Sequence, residues 1–123
     1  MARILVIEDN EMNRELVKFL FESAGHQCEI ATDGESGIKL AQTASPDVVL
    51  LDIQLPKMDG YSVLKQLQSM GTEQLPPIIA VSSYAMVGDR ERALSAGFNG
   101  YISKPINPQT FVHDVLATAG LAG

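Results

Sequence analysis

The sequence predicts an α/β fold, a five-stranded parallel sheet doubly wound in a (βα)5 order. Three observations carry this reading. Apolar runs of strand length recur at Ile4-Leu5-Val6-Ile7, Val48-Val49-Leu50-Leu51 and Ile78-Ile79-Ala80-Val81, with weaker ones at Cys28-Glu29-Ile30 and Tyr101-Ile102. The three strong runs do not alternate with polar residues, and continuous apolar strands belong in a parallel sheet covered by helices on both faces. Segments of helical period fill every gap between the runs, and that alternation is the signature of crossover connections.

Each element has its own local reason. After the first run, Asn10 can cap a helix in which Met12, Leu16, Val17, Leu20 and Phe21 recur at helical spacing, and Gly25 supplies the stop. The weak strand at Cys28 leads into a helical segment over 35–44. The run at Val48 leads into one over 60–70 closed by Gly71, and the run at Ile78 into one over 87–96 closed by Gly97. Last, Asn107-Pro108 reads as an N-cap followed by proline at the first helical position, opening a helix through Phe111, Val112, Val115 and Leu116. Gly34, Gly37 and Gly88 read as turn or helix-end devices. Met58, Met70 and Met86 read as core filling, while Met12 reads as part of a contact surface. His26 and His113 lie away from the strand ends and are assigned no role.

Composition narrows the function classes. With 46% hydrophobic and 20% charged residues, the 123-residue chain is an ordinary globular protein, so disorder, collagen-like repeats and coiled coil are excluded. A chain of this size builds one core, so a single domain spanning 1–123 is expected. Fifteen acidic residues against nine basic ones leave a net charge of -6, which lacks the basic footprint of a nucleic-acid or anionic-lipid binder. Proteins and cations are the expected partners, with no direct nucleic-acid or membrane contact. The single Cys28 cannot form an internal disulfide, which suits a reducing compartment, so a cytoplasmic location is expected. Apolar runs of only a few residues exclude a membrane span or signal peptide.

The chemistry sits at the strand ends. Glu8 and Asp9 follow the first strong run, Asp52 the second, Ser82 the third, and Lys104 the final weak one. In open sheets of this kind, ligands bind beyond the carboxyl ends of the strands. Alone, Glu8-Asp9 reads as a solvated helix-start pair, Asp52 as a turn residue, Ser82 as a turn hydroxyl and Lys104 as a surface lysine. Together they form a different object. Three carboxylates held close repel one another, and a divalent oxygen-seeking cation plus Lys104 brings the formal sum to zero. Phosphoryl transfer needs a nucleophile, a metal and donors for the phosphoryl oxygens, and Asp52, Mg²⁺, Ser82 and Lys104 can supply these.

From about residue 3 to 118 the sequence resembles a bacterial response-regulator receiver domain of two-component and phosphorelay signalling. The resemblance rests on Val6-Ile7-Glu8-Asp9-Asn10, on the stretch from Leu50-Leu51-Asp52-Ile53-Gln54 through Met58-Asp59-Gly60, on Ser82, and on Tyr101-Ile102-Ser103-Lys104-Pro105. It implies the flavodoxin-like strand order 2-1-3-4-5. It further implies Asp52 as phosphoacceptor, Glu8, Asp9 and Asp52 as metal carboxylates, and Gln54 as donor of a backbone carbonyl to Mg²⁺ or Mn²⁺. Ser82 and Lys104 are then the groups that contact phosphoryl oxygens, and Lys104-Pro105 is a cis peptide aiming the lysine inward. Ser82 and Tyr101 become the switch pair, Gln54 and Tyr84 the residues that tune phosphoryl lifetime, and Met12, Asn13 and Leu16 the docking face for a histidine kinase or histidine phosphotransfer protein.

The function this implies is a phosphoacceptor that takes a phosphoryl group from phosphohistidine, promotes its own phosphorylation and dephosphorylation, and switches contacts with a downstream protein. It is a signalling protein rather than an enzyme, expected as a monomer or weak dimer. After the pattern ends, residues 119–123 leave no room for a DNA-binding output domain, so output passes through contacts. The alternatives are a receiver excised from a hybrid sensor kinase and a Mg²⁺-dependent aspartyl-phosphate phosphatase. A phosphatase of the haloacid dehalogenase class has a second aspartate two residues after the first, where this chain has Gln54. A flavin carrier of the same fold is disfavoured because Glu8-Asp9-Asn10-Glu11 would repel a phosphate.

Overall fold

The computed structural model describes residues 1–70, 75–83 and 86–121. Five strands and five helices alternate: β1 (Arg3–Ile7), α1 (Glu11–Ser23), β2 (Gln27–Ala31), α2 (Gly34–Ala44), β3 (Val48–Asp52), α3 (Gly60–Ser69), β4 (Ile78–Ser82), α4 (Asp89–Ala96), β5 (Gly100–Ser103) and α5 (Phe111–Thr118). The strands form one parallel sheet in the order β2-β1-β3-β4-β5. Its register places Ile4 beside both Cys28 and Val48, Val49 beside Ile78, and Ile79 beside Gly100.

The apolar runs explain the layering. Successive strand residues face opposite sides of a sheet, so a run with no polar break builds two cores at once. Leu5, Ile7, Val49, Leu51, Ile78 and Ala80 pack with Val63, Leu64 and Leu67 of α3 and Ala93 of α4. On the other side Ile4, Val6, Val48, Leu50, Ile79 and Val81 pack with Val17 and Phe21 of α1 and Phe111, Val115 and Leu116 of α5. The Phe21 and Phe111 rings meet edge to face at 5.8 Å, joining α1 to α5.

Side-chain caps open the first three helices. Asn10 accepts a hydrogen bond from the Asn13 N–H at 3.0 Å, Asp33 from Ser36 at 2.8 Å and Asp59 from Ser62 at 2.9 Å. Helix α1 stops at Gly25, whose φ of 88° belongs to the left-handed region. There the His26 N–H reaches the Phe21 carbonyl and the Gly25 N–H that of Glu22, both at 3.0 Å.

Four expectations are corrected. Regular α5 begins at Phe111, not at Pro108: Asn107 caps a preceding turn, its Oδ1 accepting from the Gln109 N–H at 3.0 Å. The Asn107 carbonyl accepts from both Thr110 and Phe111, so the turn feeds the helix without belonging to it. Helix α4 starts at Asp89 rather than at residue 87, because Gly88 turns left-handed there with φ 91°. Met86 is exposed rather than core, whereas Met58 and Met70 do pack against the core. Gly37 is no turn residue; it lies buried within α2, where a Cβ would run into the Ile7 side chain. Gly71 and Tyr84 lie outside the described residues.

The Gly37 contact has a measurable consequence. Gly37→Ala gains up to about 1 kcal/mol of helix propensity but overpacks the α2–β1 contact, at a cost of about 1–3 kcal/mol. A lower urea midpoint with unchanged slope is the expected result. Adding Ile7→Val, which removes the methyl in the way, recovers part of the loss. An unchanged or higher midpoint in Gly37→Ala would show that the contact is not close.

Candidate functional site

The sheet ladder itself carries the polar residues to one edge. Just past β1, the Glu8 N–H donates to the Ala31 carbonyl at 3.0 Å. Asp52 and Ser82 are the last residues of β3 and β4. Past β3, the Ile53 N–H donates to Val81 at 3.0 Å, and past β5 the Lys104 N–H donates to Ser82 at 2.7 Å. Parallel strands end together, so residues as far apart in sequence as Glu8 and Lys104 arrive at one place.

Lys104 is the hub. Its Nζ lies 2.7 Å from Glu8 Oε1 and 3.3 Å from Asp52 Oδ2. Both carboxylates are buried, each residue only 4% exposed. The Lys104–Pro105 peptide is cis. The other Asp52 oxygen, Oδ1, accepts from the Gln54 backbone N–H at 2.9 Å, which holds the carboxylate in one rotation. Asp9 stands at the solvent side, and one ligand atom each from Glu8, Asp9 and Asp52 lie within 4.8 Å of one another.

The electrostatics follow from that packing. Burial, followed by the neighbouring Asp52 carboxylate, pushes the Glu8 pKa up to about 7 against the opposing pull of Lys104. For Lys104, burial works against the charge, but the Glu8 hydrogen bond and the two carboxylates outweigh it, and its pKa is raised. Three carboxylates and one ammonium sum formally to −2. A hard, all-oxygen donor set carrying that charge fits a divalent ion such as Mg²⁺.

The Ser82 side of the site is also bonded. Ser82 is buried, and its Oγ accepts from Gln54 Nε2 at 2.7 Å. The Ser83 N–H donates to Gln54 Oε1 at 3.1 Å. Tyr101 on edge strand β5 is half-buried against the α3–α4 core. A hollow of ≈ 150 Å³ is lined by Gln54, Ser82 and Tyr101 together with Tyr61, Met86 and Arg92. Of the residues expected to form a docking face, Met12 is exposed, while Asn13 and Leu16 are half-buried on the first turns of α1.

Arg14 and Phe19 lie outside the motifs read from the sequence, whereas Gly60 lies within one of them. Arg14 donates from Nη1 to the carbonyls of both Glu8 and Asp9, pinning the acidic loop to α1. The only sequence signal was a cation one helical turn beyond the Asn10 cap. Phe19, exposed one turn past Leu16, extends the Met12 stripe. Gly60 is required by close approach: a Cβ there would lie 2.7 Å from the Ile53 Cα and 2.8 Å from the Asp52 carbonyl oxygen, and backbone cannot move aside.

Comparison with known proteins finds relatives along nearly the whole chain. The family model of the response regulator receiver domain matches residues 4–116. The polar-differentiation response regulator DivK of Brucella anthropi is 37% identical over 117 residues, 95% of each chain, and that of Brucella ovis is equally similar. The chemotaxis protein CheY4 of Vibrio cholerae superposes with a TM-score of 0.88 at 26% identity, over 96% of this chain and 98% of that one. The receiver domain of sensor histidine kinase PA1611 from Pseudomonas aeruginosa PAO1 has a TM-score of 0.85 at 31% identity over 97% and 98% of the two chains. That structure has a magnesium ion coordinated in its active-site cleft. Among the described residues, no helix is long and apolar enough to cross a membrane.

The Glu8 environment predicts a pH dependence. Its folded pKa of about 7 lies above the ordinary 4.5, so the folded chain binds a proton that the unfolded chain lacks between those values. The metal-free protein therefore gains stability from this group as pH falls through that window and loses it as pH rises through about 7. Denaturant midpoints in chelator across the window should show the slope, and Glu8→Gln should flatten it. An identical slope in Glu8→Gln would assign it to another group.

Proposed function

The chain belongs to the response-regulator receiver domain family, and on that premise we propose Asp52 as the carboxylate that accepts a phosphoryl group from phosphohistidine. The observation that carries this reading is the Lys104 ammonium bridging buried Glu8 and Asp52 at the carboxyl edge of the sheet. An Asp52 oxygen attacks phosphorus, the P–N bond breaks as the O–P bond forms, and the imidazole leaves with the bonding electron pair. Lys104 offsets the added charge, and Ser82 donates its hydroxyl to a phosphoryl oxygen. Glu8, Asp9, Asp52 and the Gln54 carbonyl would hold Mg²⁺ or Mn²⁺, which when bound supplies the positive charge that balances the carboxylates and the phosphoryl oxygens. In this reading the protein promotes its own phosphorylation and dephosphorylation without being a dedicated enzyme.

The donor is a histidine kinase or histidine phosphotransfer protein, docking on α1 through Met12, Asn13 and Leu16 with Phe19 added to the stripe. Movement of the loop after Ser82 toward the new charge opens space for the Tyr101 ring, and the changed surface selects a downstream protein. We place the protein in the cytoplasm, with residues 1–123 forming one receiver domain that is a monomer or weak dimer and acts through protein contacts rather than through nucleic acid or membrane. The phosphatase reading lacks an acid for the leaving group, because the Gln54 amide stands at that position and is bonded to Ser82 and Ser83.

Small phosphodonors test the acceptor. With acetyl phosphate and Mg²⁺, the intact mass should rise by one phosphoryl group, and the rise should vanish in Asp52→Asn or on chelation. A full-stoichiometry rise in Asp52→Asn would place the acceptor elsewhere.

Lifetime is a separate matter. Hydrolysis needs water in line with the acyl phosphate, and we assign Tyr84 and Gln54 to shielding that approach. Phosphorylated Tyr84→Ala should decay faster than the parent after donor removal, and equal or slower decay would reject the assignment for Tyr84.

A further inference from the structure

We propose that the Gln54 side chain is a positioning residue that clamps the loop after Ser82 in the unphosphorylated protein. Phosphorylation at Asp52 must displace its amide before that loop can turn to the new charge. The proposal rests on Asp52 as acceptor and adds the device that holds the switch at rest.

The amide makes two bonds across the site, to residues 28 and 29 positions further along the chain. Gln54 Nε2 donates to Ser82 Oγ at 2.7 Å, and Gln54 Oε1 accepts from the Ser83 N–H at 3.1 Å. Chemistry fixes the orientation. A backbone N–H can only donate, so the amide oxygen must face Ser83 and the amide nitrogen is left for the Ser82 hydroxyl. Gln54 also grips the acceptor, its own N–H donating to Asp52 Oδ1 at 2.9 Å. One residue therefore ties the carboxylate that is modified to the loop that responds.

The anchoring around the clamp defines what can move. The Ser82 carbonyl is held in the ladder by the Lys104 N–H at 2.7 Å, so Ser82 stays in place and the movement begins with its hydroxyl and with Ser83. Those are the two groups that the Gln54 amide holds. The ≈ 150 Å³ hollow bordered by Gln54, Ser82 and Tyr101 gives a released amide somewhere to go. A phosphoryl oxygen is a charged acceptor and outcompetes the neutral amide oxygen for the Ser83 N–H, while the Ser82 hydroxyl, which accepts from the amide nitrogen at rest, turns to donate to it. The clamp thus raises the threshold for switching without preventing it. Two neutral hydrogen bonds, each exchanged in part for water, make that threshold about tenfold in apparent affinity for a phosphoryl mimic.

Gln54→Met tests this. Methionine keeps the side-chain length, the backbone N–H to Asp52 and the backbone carbonyl, and removes both clamping bonds. Wild type and variant are titrated with beryllofluoride and Mg²⁺ by amide NMR. Tighter binding by about tenfold is expected in the variant. Its ligand-free spectrum should also show the Ser83 and Tyr101 amides displaced along the line from free to saturated wild-type positions, a movement that simple loosening would not produce. Equal or weaker binding overturns the clamp, and so does tighter binding without that displacement. Gln54→Ala should behave in the same direction and covers the case of a poorly folded methionine variant. Wild type that takes up no beryllofluoride would instead overturn Asp52 as the acceptor.

Discussion

The lysine ammonium between two buried carboxylates is the constraint around which the rest of the structure is arranged. Lys104 touches Glu8 and Asp52 at once, yet the site still carries more negative than positive charge, and burial together with the Asp52 carboxylate pushes the Glu8 pKa up to about 7. A buried charge set of this kind contributes little to stability, because desolvation consumes most of the Coulombic gain. Its value is chemical. A site short of positive charge attracts a cation, and a carboxylate already oriented by a lysine and a backbone N–H has little reorganisation left to undergo.

Stability comes instead from the two apolar layers. Each strong strand run feeds both, with Leu5 and Ile7 on one side and Ile4 and Val6 on the other. Because the strands are parallel, their carboxyl ends lie at one edge, and every polar residue that follows a run is delivered there. The core and the site therefore use the same strands at different positions. A rigid sheet can hold Glu8, Asp52, Ser82 and Lys104 in register.

Legibility divided along the same line. The strands are readable because apolar continuity is a local property, and the site residues are readable because each is the first or second polar residue after a run. Glu8, Asp9, Asp52, Ser82 and Lys104 all stand where that reading expected them. The start of α5 was not readable, since Asn107-Pro108 carries a helix-start signal that the chain spends on a separate turn. Nor was Gly37, whose role depends on how closely α2 lies on Ile7, a distance no local pattern encodes. Arg14 and Phe19 carry no local signal, since their roles depend on where the acidic loop and the Met12 stripe lie in space.

The sequence by itself determined the α/β class, the order of elements, the two-sided burial of the strands and the acid-serine-lysine set at their ends. These depend on periodicity and on which residue follows which, both of which are properties of the chain. Only the tertiary structure decided which oxygen of Asp52 faces Lys104, how closely the helices approach the sheet, and that the Gln54 amide spans from one strand's end to the next. Those contacts join residues tens of positions apart, and their lengths come from packing two layers of helices onto a twisted sheet, which no stretch of sequence specifies alone.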